Sequence, residues 1–147
     1  MKILLINPNT TVAVTEKVLS AARGVVSPGT ELIGATGRFG AAYVASRSAY
    51  AIAGHAALDA WARASEQHDF DAVLLACFGD PGLDALRELC AVPVVGMADA
   101  SIRLAADEGK RFGIVTGGER WGPMLREFVA VRGLTGQLAS VQTVAPT

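Results

Sequence analysis

Metal-binding residues are scarce in this sequence. It has two histidines, His55 and His68, and two cysteines, Cys77 and Cys90, with no CxxC or HxxxH spacing. That argues against a zinc site, and two cysteines are too few for a disulfide scaffold. A reducing cytoplasm fits such cysteine usage. Long apolar runs are missing too: none approaches the ~20 residues of a membrane span. The opening segment, Met1 to Pro8, is too short for a secretory h-region and has no small-residue cleavage site. Neither sign of charge dominates. The formal net charge is −1, and no basic cluster points to a nucleic-acid surface. No GxGxxG or GxxxxGKS/T motif occurs, and the stretch Gly37 to Gly40 carries no phosphate-loop lysine, so a nucleotide cofactor is not implied. Charged residues make up 18% and hydrophobic ones 51%, which excludes an extended disordered chain.

What is present is an alternation. Short apolar runs are followed by longer stretches with helical spacing. Residues 2–6 are continuously apolar after Lys2, as a strand buried on both faces should be. Asn7 to Thr11 form a loop. Val14, Val18, Ala21 and Val25 then recur at helical spacing, with Thr10 or Thr11 placed to cap, until Pro28-Gly29 breaks the helix. A second strand spans 31–35 and leads into the glycine-rich stretch 34–40. A long helix covers 46–66, its inward stripe formed by Ala53, Ala57, Ala60, Trp61 and Ala64. Residues 72–77 are a third strand, ending in Cys77. Asp80 as N-cap with Pro81 at the first helical position predicts a helix to about Leu89. A fourth strand spans 93–97, and a helix over 101–108 stops at Gly109. The order then restarts: strand 111–116, turn Gly117-Gly118, helix 119–132 stopped by Gly133, strand 138–144. Strands alternating with helices imply parallel βαβ units and a doubly wound, flavodoxin-like α/β sheet. Residues 1–99 are expected to form a first half. Residues 100–147 should begin a second, similar half that is incomplete, leaving apolar surface such as Val141 and Val144 exposed and favouring a homo-oligomer.

In such sheets ligands bind beyond the carboxyl ends of the strands. Three strand ends carry polar loops: Asn7 to Thr10, Cys77 to Asp80, and Thr116 to Gly118. All three should open on one edge. Each leads into a helix, whose free N–H groups favour an anion or a developing oxyanion. A cysteine at a strand end just ahead of a helix N-terminus is where thiol pKa values fall, which singles out Cys77. Cys90 is carried about 15 Å toward the opposite edge by the intervening helix, at ~1.5 Å per residue. The histidines and Trp61 and Trp121 read as surface or packing residues. Arg47 and Tyr50 are at the right edge to reach a carboxylate, or to lie on the surface.

The segments KILLINPNTT, LLACFGDPGLDALRE and FGIVTGGERWGPML, taken in order, resemble the hydantoin racemase branch of the aspartate/glutamate racemase superfamily. The resemblance implies two similar α/β halves with the site between them. It also implies two cysteines, one on each face of a substrate α-carbon, and neither metal nor pyridoxal phosphate. Carried onto this sequence, Cys77 is the acid or base on one face. Asn9 and Thr10 bind carboxylate or imide oxygens of a small-molecule substrate, and Phe78, Gly79, Asp80, Thr116 and Gly117 shape the rest of the pocket. The family's second cysteine follows a strand late in the second half, past Thr147, and Gly117 stands where a second hydroxyl residue is frequent. Single-cysteine relatives, such as arylmalonate decarboxylases, and maleate isomerases are the alternative chemistry. A non-catalytic flavodoxin-like module is the alternative without chemistry.

Overall fold

The computed structural model describes residues 1–107 and 111–144. Eleven elements follow one another: β1 (Lys2–Asn7), α1 (Val12–Arg23), β2 (Glu31–Thr36), α2 (Arg47–Ser65), β3 (Ala72–Leu75), α3 (Leu83–Leu89), β4 (Val94–Gly96), α4 (Met97–Asp107), β5 (Phe112–Gly117), α5 (Trp121–Val131) and β6 (Leu138–Val144). The first four strands form a parallel sheet in the order β2-β1-β3-β4, and β5 pairs with β6 in a separate parallel sheet. The expected parallel α/β architecture is therefore present.

The apolar strands read as continuous because alternate residues face different helices. Leu4 and Ile6 of β1 and Val73 and Leu75 of β3 pack with Ala57 and Ala60 of α2 and Leu83 and Leu86 of α3. Leu5, pointing the other way, meets Leu19 of α1, with Leu74 alongside. Small residues let α2 lie close: Ala53, Ala56, Ala57 and Ala60 are all buried, while Trp61 and Ala64 are partly so. A second core joins Val44 and Ala53 to Ile102 of α4, Ile114 of β5, Val141 of β6 and Trp121, Leu125 and Val129 of α5.

Several local expectations are corrected. Helix α1 ends at Arg23, and Val25, predicted on its inward stripe, is 85% exposed beyond it; Ala21 is also exposed, and Thr15 and Leu19 are the helix's buried residues. Thr11 is the N-cap of α1, but its hydroxyl donates to Ala42 O at 2.8 Å rather than capping. β4 ends at Gly96, and α4 starts at Met97, four residues earlier than spacing suggests. Val141 is buried, so only Val144 of that pair is exposed. The stop at Gly109 lies outside the described residues. Among the described residues, no helix is long and apolar enough to cross a membrane.

Candidate active site at the carboxyl edge of the sheet

The order β2-β1-β3-β4 puts the topological switch between β1 and β3, the place where open parallel sheets bind ligands. Two of the predicted loops leave from these strands.

After β1, Asn7 is wholly buried. A buried amide must be satisfied, and this one is satisfied locally. Its Nδ2 donates to Asn9 Oδ1 at 2.8 Å and Thr15 Oγ1 at 3.0 Å, and its Oδ1 accepts from Asn9 N at 3.2 Å. Thr11 N also donates to Asn9 Oδ1, at 2.9 Å. Two donors on Oδ1 fix the Asn9 amide and leave its NH₂ group as the free face. Asn9 therefore offers a donor, the polarity an oxyanion or carbonyl oxygen needs. Thr10 is half-buried beside it, its N–H donating to Ala41 O at 3.2 Å. Asn7 and Thr15 were missed from sequence; an asparagine closing an apolar strand is the signal that points to such a net.

After β3, Cys77 is half-buried, and with Phe78 it packs against the second core. Asp80 N donates to Cys77 O at 2.9 Å. Asp80 is the one non-glycine residue with positive φ among the described residues, at 51°. It does not cap α3, whose N-cap is Gly82. Its carboxylate, in a residue only 2% exposed, instead accepts from Ala98 N at 2.9 Å and Asp99 N at 2.7 Å, at the start of α4. The physical reason is register: β4 lies beside β3 with Leu75 opposite Gly96, so the chain leaving β4 passes directly over the turn. Gly96 has to be glycine there, because a Cβ would run into the Asp80 carboxylate. Gly79, at φ 119°, lies against the Trp121 ring, where a Cβ would be 2.6 Å away. Tyr50 Oη donates to Gly79 O at 2.8 Å.

The expected lowering of the Cys77 thiol pKa is reversed. Burial, and after it the charge of Asp80, push it up to about 12. The helix that was to stabilise a thiolate begins only at Leu83, while desolvation and a carboxylate both oppose charge on sulfur. Asp80 itself is raised by burial, against the opposing N–H bonds of Ala98 and Asp99. Cys90 is the C-cap of α3, packed toward the core between the sheet and α2–α3.

The third loop belongs to the other sheet, so the three ends do not share one sheet edge. Thr116 and Gly117 are half-buried, and Gly117 O accepts from Tyr43 Oη at 3.3 Å. The segment carrying Tyr43 also meets the β1 loop, through Thr10 and Thr11, and so bridges the two. Arg47 pairs with Glu127 on the surface at 2.6 Å. A cavity of about 260 Å³ lies between α2 and α5, lined by Tyr50, Gly79, Trp121, Phe128 and Arg132 among others; Cys77, Asn9 and Thr116 do not line it. Of the residues predicted to shape the pocket, Gly79 lines this cavity; the others lie along the open strand ends. Among the described residues, no three of His, Cys, Asp and Glu converge as a metal ion would require.

These features define an α/β protein with a half-buried thiol and an oriented amide donor at the switch point of a parallel sheet. The model of the Asp/Glu/hydantoin racemase family matches residues 3–147, and the chain belongs to that family. It is 39% identical to a hydantoin racemase of Paenarthrobacter aurescens over 97% of its own length and 60% of that protein's. With a hydantoin racemase of a Pseudomonas species the identity is 34%, covering 97% and 57%. The structure of allantoin racemase from Pseudomonas fluorescens superposes with a TM-score of 0.91 at 36% identity, covering 97% of this chain and 60% of that one. The Klebsiella pneumoniae allantoin racemase gives 0.92 at 36% identity, covering 97% and 58%. The chain thus spans about three-fifths of the length of these relatives.

Proposed function

We propose that this chain is the Cys77-bearing part of a cofactor-independent racemase acting at the α-carbon of a hydantoin-type ring, with amino acids as the alternative substrate class. The observation that carries the reading is the pairing, at one switch point, of a half-buried thiol on the β3 turn with an Asn9 amide locked as a donor. Racemisation breaks the α-C–H bond on one face and forms a new one on the other. The charge left behind sits on the adjacent carbonyl oxygen, and in this reading Asn9 Nδ2 and Thr10 receive it. Phe78, Gly79 and Asp80 shape the pocket through the turn, and Thr116 and Gly117 close it from the second sheet. In this reading residues 1–99 form the first half and residues 100–147 begin the second. Cys90 does not serve the opposite face. That face is met by a group on polypeptide other than these 147 residues, whether continuous with them or on a partner subunit of a homo-oligomer. Two free thiols are compatible with a cytoplasmic setting.

One observation favours a second reading. A thiol held protonated well above neutral pH is a proton donor, and a decarboxylase of the single-cysteine type needs only that: loss of carbon dioxide makes the carbanion, and the thiol protonates it. The experiment is a panel in heavy water, with 5-substituted hydantoins, allantoin, aspartate, glutamate and a disubstituted malonate. Deuterium entering an α-position supports the racemase. Carbon dioxide from the malonate alone supports the lyase. Folded protein, assayed together with the polypeptide that completes the site and silent on every substrate, overturns both.

A further inference from the structure

Every hydrogen-bond partner of the Asp80 carboxylate lies on one element, the start of α4, yet the residue itself belongs to the turn that presents Cys77. An aspartate that only capped a helix would not need left-handed backbone at φ 51° in a position just 2% exposed. That conformation is uncommon outside glycine and persists where surroundings over-determine it. Here three helices do so. Asp80 fastens the turn to α4, Tyr50 of α2 donates to Gly79 O at 2.8 Å and more weakly to Asp80 O at 3.4 Å, and Trp121 of α5 covers Gly79. Behind Asp80, Asp99 gathers Arg87, Arg103 and Arg132 at 3.1, 3.1 and 2.6 Å, so α4 cannot shift without disturbing α3 and α5.

We propose that Asp80 is a positioning residue for Cys77, acting through the turn it locks onto α4 and through the carboxylate charge it carries on that turn. It is not a substrate ligand, because both carboxylate oxygens are already engaged with backbone N–H groups. The charged and titratable groups around it are Tyr50 from α2, Asp99 from α4 and Arg132 from the end of α5. Arg132 is bound to Asp99, and Asp80 sits three residues from Cys77 on the same turn, which its N–H closes onto Cys77 O at 2.9 Å. The inference rests on the reading that Cys77 transfers protons, but its test uses no substrate.

Alkylation of Cys77 is measured in a Cys90→Ser background with two reagents of similar size, neutral iodoacetamide and anionic iodoacetate. Asp80→Asn keeps the side-chain shape and removes the charge. A lower thiol pKa raises the thiolate fraction, and for each tenfold rise in that fraction the iodoacetamide rate gains about threefold after weaker nucleophilicity. The iodoacetate rate rises further, so the ratio of the two increases. A turn that is merely loosened raises both rates alike, and an unchanged ratio overturns the electrostatic role. Tyr50→Phe, which leaves the charge in place, is expected to keep the ratio. Should Asp80→Asn not fold, the parent decides: its iodoacetate-to-iodoacetamide ratio lies several-fold below that of a cysteine peptide, and equality contradicts the proposal. If exchange activity is present, Asp80→Asn lowers kcat with KM held. A silent activity assay with a shifted ratio would sink the racemase reading and leave this one standing.

Discussion

The turn after β1 and the turn after β3 leave neighbouring strands at the same sheet edge, yet they are held in different ways. The side chains of the first are held mainly from within, with backbone bonds from Gly37 N to Asn7 O and Asn9 O and from Thr10 N to Ala41 O around them. Asn7, Asn9, Thr11 and Thr15 satisfy one another over a few residues, and Thr15 Oγ1 extends the net to Thr36 Oγ1 at 2.6 Å on β2. The second is held from outside, by α4 through Asp80, by α2 through Tyr50 and by α5 through Trp121. Asn9 is thus set by local chemistry, and Cys77 by packing between elements distant in sequence. A local net resists change elsewhere in the molecule. A turn clamped by three helices registers a change in any of them.

Several variants sharpen or break this contrast. The largest effect is expected at the donor. Asn9→Asp keeps the accepting oxygen and replaces the free NH₂ by a second anionic oxygen; loss of such a donor costs about 10²–10³-fold in kcat, and an unchanged rate would refute the orientation assigned to Asn9. Asn7→Ala comes next, leaving the Asn9 and Thr15 polar groups without their partner. Chemical denaturation should show about 3 kcal/mol lost, since the whole net depends on one side chain. Gly96→Ala drives a methyl into the Asp80 carboxylate and is expected to cost about 2 kcal/mol; here thermal stability and Cys77 reactivity should change together, whereas Asn7→Ala should leave Cys77 reactivity alone. The pH dependence is confined to alkaline solution. A thiol raised from 9.0 to about 12 binds its proton more tightly in the folded state, so its contribution is fully present below pH 9 and is lost as pH rises toward 12. Melting curves across that range should fall less steeply in Cys77→Ala. Smallest of all is Cys90→Ser, a partly buried thiol at a helix end, which should leave exchange activity within about twofold of the parent, as near-surface substitutions generally do.

The contrast also explains what could be read in advance. Strands buried on both faces announce themselves as unbroken apolar runs, so β1 and β3 were legible, and with them the loops carrying Asn9 and Cys77. Alanines at helical spacing marked the close-packed face of α2. The partner of Asp80 was not legible, because Asp-Pro is a sound local signal for a helix start and the N–H groups that claim the carboxylate lie 18 and 19 residues on. The expected activation of Cys77 fails first through burial of the thiol and only then through the charge of Asp80, and neither is visible in local spacing. The split of β5 and β6 into their own sheet was likewise invisible in spacing, since a parallel pair reads the same whichever sheet it joins.

The central claim is that Cys77 moves the substrate proton. The direct measurement is the initial rate of α-deuterium incorporation in heavy water by the parent and by Cys77→Ser, compared at equal folded concentration on a substrate the parent accepts. The expected result is a fall of about 10²–10⁴-fold, the usual weight of a positioned acid or base. Incorporation at the parental rate by folded Cys77→Ser would contradict it.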